Sequence, residues 1–265
     1  MRFQTIDLHM HSTVSDGTDS PEEILARVRE AGIDLFAVTD HDAIECAARI
    51  PALRGGDDPC FIAGVEFSCK DEEGKYHILG YGYDPQADAI CAAVRFGHEN
   101  RMKKVRQRLD FLHTQFGFIF PELEIAKLLA LKNPGKPHIG NLMVQLGFAL
   151  SKEDAIQNYI DKAIVKTRYL RPEEAIRSIL DSGGIPVLAH PCYGSGDQLI
   201  LGEELDARLR RQVIGFAEKY GLYVTAGSDY HGKNKLVQLG DTGLAEAEPA
   251  EGLLRFLEDV KICGA

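Results

Sequence analysis

Residues 7–18 read DLHMHSTVSDGT: His9 and His11 are separated by one residue, and Asp16 follows five positions after the second histidine. In an extended strand, residues i and i+2 point to the same face, so the two imidazoles form a two-toothed claw. The preceding run, FQTIDLH, reads as a buried strand that would deliver both at its carboxyl end. Asp16 lies in a Ser-Asp-Gly turn and, taken alone, is only a turn residue. A single HxH is also weak on its own, so the reading depends on whether other segments repeat the arrangement.

They do. SPEEILARVREAGI reads as a helix with Ser20 as N-cap and Pro21 at its first position. LFAVTDHD is a second strand, AIECAARI a short helix and CFIAGVEFS a third strand. KYHILGYGY is a fourth, bounded by the turn-forming DEEG and DP. Residues 86–165 are largely helical, with a break at KNPGKPHIG that leaves His138 in a loop. The strand–helix rhythm then returns with PEEAIRSILDSGG, IPVLAHP, a helix over 203–220 and a last strand, LYVTAGSDYHG. Such alternation predicts a βαβ-type sheet or barrel.

The strand-like segments end in residues that bind metals: His9 and His11, Asp40 and His41, Glu66, His190, and Asp229 with His231, while His77 lies within the fourth. Six of the nine histidines stand in or just after predicted strands, which one half-buried, hydrogen-bonded histidine would not require. A purely structural account would crowd many polar groups at the mouth of one core, at a cost that partners must offset. Ligands at the carboxyl ends of parallel strands converge where barrel enzymes keep their active sites. A metal site is the better reading.

Composition narrows the partners. The chain has 265 residues, 45% of them hydrophobic and 26% charged, enough for a full core. A formal net charge of −10 argues against broad binding to duplex nucleic acid but leaves room for a small phosphorylated substrate held by local cations. Cys46, Cys60, Cys69, Cys91, Cys192 and Cys263 form no CxxC pair, so reduced thiols are expected, and Cys192 reads as a packing residue. No signal-peptide pattern or membrane-length apolar run is visible, and a cytoplasmic location is expected, with no membrane and no obligate protein partner.

In combination and in order, DLHMHSTVSDG, VTDHD, GVEFS, HILGY, AHP and GSDYHG resemble the polymerase and histidinol phosphatase (PHP) superfamily, over nearly the whole chain. The nearest likeness is to its stand-alone phosphoesterases, the nucleoside 3′,5′-bisphosphate phosphatase and 5′–3′ exoribonuclease group. The resemblance implies an α/β fold: a distorted (β/α)7 barrel formed by residues 1–85 and 166–265, with 86–165 as a helical insertion over the C-terminal rim. It implies two to three divalent metal ions. His9, His11, Glu66 and Asp229 would hold one, Glu66, His77 and His190 a second, and Asp16, His41 and His231 a third. Imidazole and carboxylate ligands without thiolate suit Mn, Fe or Zn. Asp229, His190 and His138 would be the catalytic residues, the first two managing protons; Lys136 and His138 of GKPHIGNLM, with Arg101, would bind substrate phosphate.

The implied activity is hydrolysis of a phosphate monoester, chiefly the 3′-phosphate of nucleoside 3′,5′-bisphosphates, with short 5′-phosphorylated RNA as a related substrate. The alternatives are a histidinol-phosphate phosphatase and a non-catalytic metal-binding PHP module. One departure stands out: residues 192–213 are too short for the helix and strand that family members carry there. Either a barrel element is truncated or residues are missing from that stretch.

Overall fold

A computed structural model describes residues 3–191, 203–244 and 249–263, with backbone only over 203–210. Cys192 and the rest of residues 192–202, half of the shortened stretch, lie outside the described residues. The chain forms two compact units, residues 1–94 with 170–265 and residues 95–169.

The first unit is built on a five-stranded sheet in the order β1 (Ile6–Asp7), β2 (Leu35–Val38), β3 (Cys60–Lys70), β4 (Lys75–Tyr81), β5 (Ile185–Leu188). β1, β2 and β3 run parallel. Helix α1 (Pro21–Glu30) links the first two: Ser20 accepts from the Glu23 amide and Glu23 reaches back to the Ser20 amide, so both ends of the capping box close. Its buried Ile24, Leu25 and Val28 pack with Phe36, Val38, Ile50 of α2 (Cys46–Leu53) and Phe61 in one apolar cluster. Fully burying such a side chain contributes about 1.5–3 kcal/mol.

β4 departs from the expected parallel arrangement. It runs antiparallel to both β3 and β5. Only Asp71–Gly74 separates it from β3, closed by an Asp71 amide to Gly74 carbonyl bond of 3.0 Å. A parallel partner would have required a crossover of a dozen or more residues. The other expected strands are shorter. FQTIDLH supplies only the two residues of β1, and LYVTAGSDYHG joins no ladder. The latter is extended beside the first segment, through Leu8 amide to Ala226 carbonyl (2.9 Å) and His11 amide to Tyr230 carbonyl (2.8 Å).

Helices α7 (Pro172–Asp181), α8 (Glu203–Lys219) and α9 (Glu251–Asp259) complete this unit, α7 lying against β3, β4 and β5. A second cluster, with Leu8, Leu35, Ile62, Tyr81 and Phe256, packs α9 against the sheet. The second unit contains most of α3 (Asp88–Phe116), with α4 (Glu122–Ala130), α5 (Lys136–Gln145) and α6 (Lys152–Asn158) around a core of Val105, Leu112, Ile139 and Met143. Among the described residues, no helix is long and apolar enough to cross a membrane.

Candidate metal centre

Glu66 is the hub. It sits midway along β3, past the end of β2, where it forms an isolated bridge with His41. That places a mid-strand residue level with the carboxyl ends of β1 and β2. Because β4 is antiparallel, His77 reaches the same rim from near the amino end of its strand, and His190 reaches it two residues beyond β5.

The carboxylate of Glu66 is 1% exposed and meets five imidazoles. Its Oε2 lies 3.2 Å from His9 Nε2, 3.1 Å from His11 Nε2 and 3.3 Å from His41 Nδ1. Its Oε1 lies 2.8 Å from His77 Nδ1 and 3.2 Å from His190 Nε2. Asp229 Oδ1 is 3.4 Å from both His9 Nε2 and His11 Nε2. Asp16 lies 3.5 Å from His231, 3.8 Å from His11 and 3.9 Å from His41. Five expected imidazoles therefore meet Glu66 directly, and Asp16, Asp229 and His231 join the cluster through contacts with those rings and with one another.

Among the described residues, the groups compact enough to hold an ion are His9, His11 and Glu66; His41, Glu66 and His77; and His11, Asp16, His41 and His231, each within 4.8 Å, with Asp229 and His190 in none of them. His11 and His41 thus each belong to two groups, as Glu66 does, where the expectation shared Glu66 alone. His11 Nε2 is buried and makes no hydrogen bond although two carboxylates flank it. An imidazole lone pair and carboxylate oxygens converging without hydrogen-bond geometry are the donor set a divalent cation satisfies, so the residues present fit such an ion.

The claw at Asp229 and His231 is not strand geometry. Asp229 has φ +58°, and His190 has φ +31°. The third left-handed non-glycine residue among those described, Asp42 (φ +49°), adjoins His41. Such conformations cost of order 1–3 kcal/mol each and persist where surrounding bonds fix them. Here the fixing group is Asp7, which the sequence reading missed. Its buried carboxylate accepts from the Ser228 amide (2.9 Å), the Ser228 hydroxyl (2.7 Å) and the Gly240 amide (2.8 Å). Gly227 permits this approach, since a Cβ there would lie 2.3 Å from that of His9.

Asp40 also takes a different part from the one its residue type suggested. Its Oδ1 accepts from the Ser12 amide (2.8 Å) and Ser15 hydroxyl (2.6 Å), and its Oδ2 from the Ser12 hydroxyl (2.6 Å) and Cys46 thiol (3.2 Å). Ser15 Oγ is in turn 3.4 Å from His11 Nδ1. Asp40 therefore orients the ring of His11 from behind. Burial, with Asp40 alongside, pushes the Cys46 thiol up, so it remains a donor.

The three phosphate-binding candidates lie in the second unit. The structure places His138 inside a helix rather than a loop: α5 starts at Lys136, and His138 Nδ1 accepts the Gly135 amide at 3.1 Å. Pro137 stands in the first turn of α5, where the amide it lacks would have no intrahelical acceptor. Arg101 Nη1 lies 3.8 Å from where a Cβ on Gly135 would stand, so all three meet at the start of α5. Lys136 is paired with Asp161 at 2.5 Å.

Charge is tightly coupled in the cluster. Burial opposes ionisation of Glu66, but His41, His9 and His77 hold its carboxyl well below the usual glutamate range. Burial likewise disfavours a charged His11, yet Asp229 and Glu66 outweigh it and raise the imidazole from 6.5 to about 10. A raised folded-state value stabilises fully below pH 6.5, and that contribution is lost as pH rises through about 10. Chelator-treated protein is therefore expected to melt at a lower temperature at pH 10 than at pH 6.5. A melting temperature that does not fall over this range would remove His11 from the coupled cluster.

The model of the PHP domain matches residues 7–170. The 5′-3′ exoribonuclease Rnm of Escherichia coli is 30% identical, over 88% of this chain and 87% of its own length. The 3′,5′-nucleoside bisphosphate phosphatase of Chromobacterium violaceum is 27% identical (85% and 87% covered). The phosphoribosyl 1,2-cyclic phosphate 1,2-diphosphodiesterase of Eggerthella lenta is 31% identical (86% and 94% covered). A solved chain from Bifidobacterium adolescentis shares the fold, with a TM-score of 0.80 and 23% identity over 97% of both chains. Motifs, clustered ligands and relatives agree: the chain belongs to the PHP domain family of metal-dependent phosphoesterases.

Proposed function

We propose that the protein hydrolyses a phosphate monoester, chiefly the 3′-phosphate of nucleoside 3′,5′-bisphosphates, with short 5′-phosphorylated RNA as a related substrate. The observation that carries this reading is the clustering of six imidazoles with Glu66, Asp16 and Asp229, five of the rings meeting Glu66 directly, a donor set for several cations rather than one. Relatives named as a bisphosphate phosphatase and an exoribonuclease support the nucleotide class.

Two to three ions of Mn, Fe or Zn bound there would supply Lewis-acid polarisation of phosphoryl oxygens and acidify water. The protein's own groups do the rest. Glu66 holds the imidazoles in register. His190 and Asp229, whose side chains are 25% and 31% exposed, face the mouth of the cluster and are the groups to hold and pass protons. Lys136, His138 and Arg101, gathered at the start of α5, are the groups proposed to bind substrate phosphate. The barrel reading, a distorted (β/α)7 with residues 86–165 inserted, belongs to the same proposal.

For metal-loaded protein, kcat/KM for adenosine 3′,5′-bisphosphate is expected to exceed that for 5′-AMP or 3′-AMP by at least about tenfold, roughly 1.4 kcal/mol. Adenosine 5′-phosphate should be the product. Faster release from histidinol phosphate, or faster opening of a cyclic phosphodiester, would replace the two-phosphate reading with that substrate class.

A further inference from the structure

Lys235 lies six residues beyond Asp229, and no motif drew attention to it. Its ammonium is 2.5 Å from Asp229 Oδ2, while Asp229 Oδ1 points toward His9, His11 and His231. One carboxylate thus joins the candidate metal centre to a cation whose side chain is 33% exposed.

The position is built. After His231 the chain makes a single 3₁₀ turn, Gly232–Asn234. Gly232 has φ +63°, and a Cβ there would lie 2.0 Å from Thr18 Oγ1, so only glycine fits without displacement. The Lys233 amide donates to Thr18 Oγ1 at 2.9 Å and the Asn234 side-chain amide to the Asp16 carbonyl at 2.8 Å. The turn is therefore pinned to the loop that carries Asp16, and Lys235 leaves it at the edge of the cluster.

We infer that Lys235 is a phosphate-binding residue, whose charge becomes available to an anionic substrate when cations occupy the centre. This rests on the phosphoesterase reading above. Without cations, Asp229 and Lys235 neutralise one another. With Asp229 engaged by cations, its negative charge would be shared with them, and the adjacent ammonium would lack a full counter-ion. A phosphoryl group held at the same centre offers one, within reach because the two oxygens of a single carboxylate separate the lysine from the imidazoles. An ammonium carries three donors, so the bond to Asp229 leaves others to give. Phosphate and cations should bind with positive coupling, each raising the affinity of the other.

The test is calorimetric titration of inorganic phosphate into Mn-loaded protein, with Mn stoichiometry measured alongside. Lys235→Met is expected to weaken phosphate binding at least about tenfold, as for loss of a charge-assisted bond, with bound Mn unchanged. Lys235→Arg should recover most of the affinity. Lys233→Met, which removes an equal charge from an exposed neighbour, should keep it. Equal affinity in Lys235→Met and wild type overturns the inference alone. Equal weakening in Lys233→Met also overturns it, since general charge would then suffice. Failure of the Mn-loaded wild type to bind phosphate overturns both the inference and the phosphoesterase reading.

Discussion

Glu66→Gln is expected to lower kcat/KM by about 10²–10³-fold and to remove most bound metal, while the far-ultraviolet circular dichroism of the protein stays that of the wild type. The side chain keeps its shape, so β3 and the apolar cluster beneath it are undisturbed. What disappears is the negative charge shared by His9, His11, His41, His77 and His190. Removing one partner from a buried charged set costs about 3–5 kcal/mol, because the groups left behind have no compensating charge. Since about 1.4 kcal/mol is a factor of ten, the loss in rate follows. Elemental analysis and steady-state kinetics on the same preparation check both halves. Full metal content with wild-type turnover would show that Glu66 is not the hub of the centre.

Asp40→Ala is expected to cost about 3–5 kcal/mol of stability in urea unfolding, together with a ~10–100-fold loss of activity. Asp40 is 1% exposed, and its loss strands the Ser12 amide, both serine hydroxyls and the Cys46 thiol beneath the site. The activity loss has a separate cause: Ser15 no longer has its partner and ceases to hold the ring of His11. Asp40→Asn separates the two effects. It keeps the volume and one acceptor but turns the other into a donor facing donors, so packing is retained while the network is still broken. If Asp40→Asn behaves as wild type in both assays, the carboxylate is a filler rather than an organiser.

Much of this protein is written in local sequence. The capping box at Ser20 and Glu23 and the apolar stripe of α1 need only neighbouring residues, because helix bonds close within a turn. The antiparallel course of β4 was also present in the four-residue DEEG turn, which is too short for any crossover, although strand–helix alternation elsewhere invited the parallel reading. The metal-ligand types at His9, His11, His41, Glu66, His77, His190, Asp229 and His231 were legible from strand periodicity and polar strand ends, whereas Asp16 was implied only by the family resemblance. That periodicity places side chains on a face; it says nothing of which strand lies beside which.

The tertiary structure alone decided the rest. Glu66 became the hub because β3 overruns β2, bringing a mid-strand carboxylate level with the ends of its neighbours. Asp229 reaches the centre through a left-handed backbone held by Asp7, 221 residues away from Ser228. Asp40 became a support and Lys235 a rim cation through partners contributed by other loops. Sequence fixes bonds that close within a few residues, whereas a metal site is closed by groups from distant segments, and their register exists only once the sheet has curled and its core has packed.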